Sequence, residues 1–325
     1  MTNYQKRLTE ARNKILADKT IFLYPGQGSQ KVGMGFDLYQ SHVKARELFD
    51  QADHVLGFSL SSLCFEGPEE QLNQDLNAQL AVYTLSCVIT QILRLHKVLP
   101  GVVSGYSSGF YAAAYGAGCF NFSDGLDLVK RAGEILLDEA GKIDGSMAVI
   151  FGLPIEKVAR ICKEIGDVEV AIRNTSTQNI ISGIGSSVEK ATELSLSEGA
   201  LDAYVLPLAT SYHSSLMKQS SVRLLREIKG IKLMNPRIPL VSYLSLENVR
   251  NKTELRDIMA TQLSGPVLWF DLIKKLSSHY RGLFVEVGPG DVISRTVRWI
   301  DRNIEIASTS TNERVLSAIE RSRIL

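Results

Sequence analysis

The sequence predicts an α/β protein: a large domain with a parallel sheet, carrying an inserted ferredoxin-like small subdomain. Three observations predict it. Short apolar runs ending in glycine-rich turns, IFLYP (21–25) before GQGSQKVGMG above all, read as parallel strands buried on both faces. Segments with apolar residues at helical spacing alternate with those runs. Between Gly145 and Leu206 the rhythm changes to strand, helix, strand, strand, helix, strand, the pattern of a ferredoxin-like unit. The length of 325 residues suits two domains or one large domain with an insertion, and 45% hydrophobic residues suffice for a sizeable core and exclude highly charged disorder.

In chain order, residues 5–18 read as a short amphipathic helix and 21–25 as the first strand. Helical patterns follow at 44–56, 69–73 and 77–96, then a strand at 101–107 and a small-residue helix at 110–118. Ser123 and Asp124 suit a helix N-cap, opening a helix over 124–139. The inserted unit reads as strand 147–153, helix 154–166, strands 168–174 and 179–184, helix 187–200 and strand 203–208. The large domain resumes at about 210, with strand candidates at 239–244, 282–288 and 304–309 and helices between. The expected division is 1–144 with 209–325 for the large domain and 145–208 for the insertion.

Charge and cysteine content narrow the function classes. Thirty-six Lys and Arg against 35 Asp and Glu give a net charge of +1, so no global positive field exists to hold nucleic acid. Cys64, Cys87, Cys119 and Cys162 are far apart, with no CxxC pair and no histidine at metal spacing. That pattern predicts buried thiols and neither a disulfide framework nor a metal site. The charged N-terminus has no apolar core of a secretory signal, and polar residues interrupt the longest apolar stretch, Leu76 to Leu93. A cytoplasmic protein without membrane contact is expected.

The chemistry concentrates in Gly105-Tyr106-Ser107-Ser108-Gly109, a G-x-S-x-G segment between an apolar strand and a small-residue helix. On such a strand–turn–helix elbow the serine is held strained with its Oγ exposed, and the glycines remove side chains that would clash. This makes the large domain α/β-hydrolase-like in expectation. The helix N-terminus behind Ser107 adds backbone N–H groups suited to a developing oxyanion. The serine needs a base. His42, His54 and His96 fall on amphipathic helices among charged residues, and His279 lies in a polar loop. His213, in LATSYHSSLMK at a strand–helix junction, is favoured over them.

Four motifs in order carry a family resemblance: YPGQGSQ (24–30), GYSSG (105–109), YHSSLMK (212–218) and VEVGPG (285–290), with weaker support from NTSTQNIISG (174–183) and QLSGPVLW (262–269). From about residue 21 to 315 the chain resembles the malonyl-CoA:acyl-carrier-protein transacylases, the acyltransferases of fatty acid and polyketide synthesis. The resemblance implies Ser107 as acyl-accepting nucleophile and His213 as its base, then acid. It implies an oxyanion hole from the backbone N–H groups of Gln27 and Ser108. The histidine would be oriented by a backbone carbonyl near Gln262, with no acidic third member. Gln79 and Asn174 match polar positions near the substrate pocket, where contact and ordinary polar structure are both open. The implied reaction is ping-pong: an acyl-coenzyme A or acyl-carrier thioester donates, and the phosphopantetheine thiol of an acyl carrier protein accepts. These thioesters and thiols are substrates, and no tightly bound cofactor is implied. Family members are often monomers, and a monomer is expected.

Departures from the family bear on specificity. Malonyl-selective members carry an arginine in a pattern like LVxxRG, whereas this chain reads Leu128-Val129-Lys130-Arg131-Ala132-Gly133. The arginine position is Ala132, and Arg131, one residue earlier, is turned by about 100° on a helix. A malonate carboxylate buried without a partner is costly, so strict malonyl specificity is not expected. Tyr106 and Phe110 replace the family's usual His and Glu and join the pocket candidates. The readings are a carrier-loading acyltransferase, an editing acyl hydrolase, an ordinary malonyl transacylase if Arg131 turns inward, and a non-catalytic docking module. Ser107, His213 and the GQG turn argue against the last. Carrier proteins are usually acidic, so Lys218, Arg223 and Arg226, on one helix after His213, are docking candidates; a solvated helix face is the alternative.

Overall fold

The computed structural model describes residues 20–140, 142–208 and 210–324; the helix expected over 5–18 lies outside them. Strand β1 (Thr20–Tyr24) leads through a glycine-rich turn to α1 (Phe36–Ser41), α2 (Val43–Leu56), α3 (Leu60–Glu66), α4 (Glu69–Leu72) and the long α5 (Asp75–Leu95). Then come β2 (Pro100–Gly105), α6 (Gly109–Gly116), α7 (Phe122–Ala140), β3 (Gly145–Phe151), α8 (Ile155–Ile165), β4 (Val168–Arg173), β5 (Gln178–Ile184), α9 (Gly185–Ser197) and β6 (Asp202–Val205). The chain closes with α10 (Lys218–Glu227), α11 (Lys252–Thr261), α12 (Trp269–His279), β7 (Phe284–Glu286), α13 (Val292–Ile300), β8 (Ile306–Ser308) and α14 (Asn312–Ile324).

The first sheet has the order β2-β1-β7-β8, every pair parallel. Ile21, Phe22, Leu23 and Tyr24 are all fully buried, as an inner parallel strand covered on both faces requires. Helix α5 is long and apolar enough to cross a membrane, yet 83% of its most apolar window is buried inside the fold. Its polar residues are absorbed internally: Thr90 Oγ1 donates to the Ser86 carbonyl (2.7 Å) and shares a hydrogen bond with Tyr24 Oη (3.1 Å).

The second sheet is antiparallel, in the order β4-β5-β3-β6, with α8 and α9 packed against it. This is the ferredoxin-like arrangement, with a small core around Ile150, Ile161, Ile181 and Val188. Its β4 edge is joined to the segment before α12 and to the first turn of α12 itself. The Val267 N–H donates to Ala171 O (2.8 Å), the Arg173 N–H to Val267 O (3.0 Å), and Arg173 Nη1 to Asp271 Oδ1 (2.8 Å).

The strand expected at 239–244 is not formed. Leu240 and Val241 each make a single bridge, to Val103 and Asn248. Pro239 has no N–H to extend a ladder, and the chain turns back after Ser242. The VEVGPG segment is structural in part. Buried Glu286 at the end of β7 accepts the N–H groups of Ile293 (2.9 Å) and Ser294 (2.8 Å), satisfying the first turn of α13. Burial pushes its carboxyl upward against those hydrogen bonds.

Candidate active site

The G-x-S-x-G segment closes β2 and opens α6. Ser107 sits at φ 52°, in the left-handed region. The flanking glycines are required by space. A Cβ on Gly105 would lie 2.3 Å from the Gly109 carbonyl, and one on Gly109 would lie 2.2 Å from the Tyr24 carbonyl oxygen. The elbow is thereby pressed against β1, with Ser107 over the carboxyl ends of the strands, where ligands bind in open parallel sheets.

Ser107 Oγ is 2.7 Å from His213 Nε2. His213, also at positive φ (59°), follows the second sheet as the chain returns to the first. Its Nδ1 is 3.0 Å from the Gly265 carbonyl oxygen. That oxygen can only accept, so Nδ1 carries the proton and Nε2 is left to receive one from Ser107. Burial pushes the imidazole down, from 6.5 to about 4, against the opposing pull of the Gly265 and Gln262 carbonyls. A hydroxyl bonded to a neutral, oriented imidazole can be deprotonated as it attacks.

The orienting hydrogen bond goes to the Gly265 carbonyl, close to the Gln262 around which it was expected. After α11 ends at Thr261 the chain makes tight turns, the N–H of Gly265 returning to Thr261 O (2.9 Å), which carries the bonded carbonyl three residues further on. Gln262 itself is buried, and its Oε1 accepts from the Tyr243 hydroxyl (3.0 Å).

The pair opens on a cavity of about 670 Å³. Leu136, Met147, Ile172, Ile180, Leu206 and Leu263 give it apolar walls; Gln27, Gln79, Tyr106, Ser108 and Gln262 also face it. Among the described residues, no lysine or arginine lines it. The Gln27 N–H donates to Ser108 Oγ (3.1 Å), bringing the first glycine-rich turn beside the elbow. Gln79 Nε2 donates to Gln27 Oε1 (3.2 Å), and Gln27 Nε2 to Asp75 Oδ1 (2.5 Å). Asp75 Oδ2 accepts from the Tyr212 hydroxyl.

Other expected pocket residues lie elsewhere. Phe110 is fully buried, its ring edge-on to Tyr243 at 5.8 Å; Tyr111, the next residue around α6, faces the cavity instead. Asn174 stands one layer back, its Oδ1 accepting from the Tyr106 hydroxyl at 2.8 Å. Arg131 points outward and pairs with Asp127 at 2.8 Å. Ala132 is fully buried, one helical turn before the cavity-lining Leu136. Of the surface cations, Lys218 and Arg226 are exposed, whereas Arg223 is paired with Asp138 (2.6 Å) and Glu227 (3.0 Å).

Asp75, Tyr111 and Tyr212 were not singled out by the sequence. The spacing of Asp75 and Gln79, four apart on one helix face, was the available signal for the first. Among the described residues, no three His, Cys, Asp or Glu side chains are grouped to hold a metal ion. All four cysteines are free and buried.

Residues 21–317 match the family model described as an acyl transferase domain. The chain is 33% identical over 306 residues to the malonyl CoA-acyl carrier protein transacylase of Bacillus subtilis, covering 93% of this chain and 96% of that protein. It is 34% identical over 291 residues to the polyketide biosynthesis malonyl CoA-acyl carrier protein transacylase PksC of the same organism, covering 87% and 98%. Among solved structures, the malonyl CoA-acyl carrier protein transacylase of Coxiella burnetii superposes with a TM-score of 0.91 at 30% identity, covering 94% of this chain and 98% of that one. A malonyl-transacylase in complex with a type II polyketide acyl-carrier protein superposes with a TM-score of 0.90 at 29% identity, covering 93% and 99%.

Proposed function

The chain belongs to the acyl transferase domain family, and from that premise we propose that it carries an acyl group from a coenzyme A or carrier-protein thioester, through an ester on Ser107, to the phosphopantetheine thiol of an acyl carrier protein. The observation that carries this reading is the 2.7 Å contact of Ser107 Oγ with His213 Nε2 at the mouth of an apolar cavity. His213 takes the Ser107 proton as Oγ attacks the thioester carbonyl. The N–H groups of Gln27 and Ser108 receive the oxyanion, Gln27 exchanging its bond to Ser108 Oγ for one to substrate. The first thiol leaves with the proton from His213. A second phosphopantetheine thiol then enters, gives its proton to His213 and collects the acyl group as Ser107 is restored. These steps use no cofactor beyond the two thiol-bearing substrates. The pathway read for it is fatty acid or polyketide synthesis; polyketide biosynthesis stands in the name of one relative, PksC.

Strict malonyl specificity is not part of the proposal. With Arg131 paired outward and Ala132 at the position that carries arginine in malonyl-selective members, a malonyl carboxylate would enter apolar walls without a described cation to meet it. Malonyl transfer remains the second reading, favoured by the names of the relatives. Both are tested by offering malonyl, acetyl and longer neutral acyl-CoA thioesters with holo acyl carrier protein and weighing the carrier intact. The proposal expects neutral acyl groups to be transferred at least as fast as malonyl, and Ala132→Arg to raise malonyl transfer relative to them. Malonyl transfer far ahead of the others, abolished by Arg131→Ala, would select the second reading. Free acid with no acylated carrier would make the protein an editing hydrolase.

A further inference from the structure

Three stretches far apart in sequence meet at one carboxylate beside the cavity. Asp75, half-buried in the first turn of α5, takes Gln27 Nε2 on Oδ1 (2.5 Å) and the Tyr212 hydroxyl on Oδ2. Gln27 lies in the turn after β1, and its backbone N–H faces the elbow. Tyr212 immediately precedes His213, and both line the cavity with Gln27. Gln79, one turn further along α5, holds the other end of the Gln27 amide at 3.2 Å. The Gln27 side chain is thus fixed at both ends by one helix, and the same helix reaches the backbone that carries the histidine.

We infer that Asp75 is a positioning residue, tying the turn that presents the Gln27 N–H to the segment that presents His213. This rests on the reading of Ser107 as nucleophile, because only then do the Gln27 amide and His213 act on the same reacting centre. Two groups on different loops must hold their separation while the hydroxyl attacks. A carboxylate bonded to both sets that separation from the N-terminus of a rigid, buried helix. Misplacement by about 1 Å at such a site costs on the order of 10²-fold in rate. Asp75 touches no reacting atom in this scheme. Its effect falls on the attack step, not on acyl-chain binding.

The test is the rate at which Ser107 is phosphonylated by a fluorophosphonate, followed by intact mass on the full chain. In that reaction Ser107 Oγ forms the bond to phosphorus, the P–F bond breaks, fluoride leaves, and the hydroxyl proton passes to His213. The probe needs the serine, the base and the oxyanion donors, and does not depend on the natural acyl group. Asp75→Ala should slow labelling by about 10²-fold. Asp75→Asn should restore it to within severalfold of wild type, since the amide oxygen can accept from Gln27 while its NH2 donates to the Tyr212 oxygen. Tyr212→Phe, which keeps the ring and removes one arm, should fall between. Wild-type labelling rates in Asp75→Ala or in folded Tyr212→Phe would overturn the inference, as would Asp75→Asn as slow as Asp75→Ala. A wild-type chain unlabelled at Ser107 would instead overturn the nucleophile reading itself.

Discussion

Ser107 and His213 both occupy positive φ without being glycine, a conformation that costs on the order of 1–3 kcal/mol each and persists only where the surroundings impose it. Burial of His213 adds a second cost and a usable property. With its imidazole pushed down to about 4, the ring stays neutral well below the pH at which a free histidine charges. The acid limb of Ser107 acylation should therefore fall near pH 4; a limb near 6.5 would contradict the burial account. The stability sign follows by linkage. Between pH 6.5 and 4 the unfolded chain holds the proton that folded His213 refuses, so this residue's contribution is fully present above 6.5 and is lost as pH falls toward 4. The loss is at most about 3 kcal/mol at roughly 1.4 kcal/mol per pH unit. Denaturant melts at pH 7 and pH 4 should show a difference that shrinks in His213→Gln.

At the scale of elements, the elbow depends on contacts between β1, β2 and α6 that leave no room for a methyl group. Gly109→Ala would place a Cβ 2.2 Å from the Tyr24 carbonyl oxygen, which is backbone in a fully buried strand and cannot yield cheaply. A loss of about 3 kcal/mol or more is expected, together with displacement of Ser107. Denaturant midpoints and Ser107 labelling rates would both register it. Such local requirements were legible in the sequence: glycines around a serine, between an apolar run and a small-residue helix, specify an elbow without further help. The ferredoxin-like β-α-β-β-α-β order was legible for the same reason, since each element follows from its own periodicity. Residues placed by rotation or long-range contact were not. Nothing local says that Phe110 turns into the core while Tyr111 faces the cavity, or that the carbonyl 3.0 Å from His213 Nδ1 is that of Gly265. The apolar run at 239–244 has strand composition, but Pro239 and the turn after Ser242 limit it to bridges. Asp75 reads as an ordinary first-turn acidic residue until folding brings Tyr212 to it, 137 positions away.

At the scale of the molecule, the proposed division sets 1–144 with 209–325 against an inserted 145–208. The second sheet supplies Met147, Ile172 and Ile180 to the cavity whose serine comes from the first. Both sheets thus contribute walls, and the Arg173–Asp271 pair with the Val267 hydrogen bonds joins them beside it. A net charge of +1 leaves any electrostatic attraction to an acidic carrier to local cations. Lys218 and Arg226 are exposed on the helix that follows His213, whereas Arg223 already has two carboxylate partners. Charge reversal at Lys218 and Arg226 together should raise the KM for carrier protein at low salt, an effect that fades as salt is added. Acylation of Ser107 by small acyl-CoA thioesters should be unchanged. Equal loss with both substrates would argue against docking there. The claim on which the rest depends is that Ser107 carries the acyl group in transit. Intact mass of the protein after brief exposure to an acyl-CoA, and again after addition of holo carrier protein, tests it most directly. The account predicts one acyl adduct, absent in Ser107→Ala, that disappears from the protein as the same mass appears on the carrier; an adduct that survives in Ser107→Ala would contradict it.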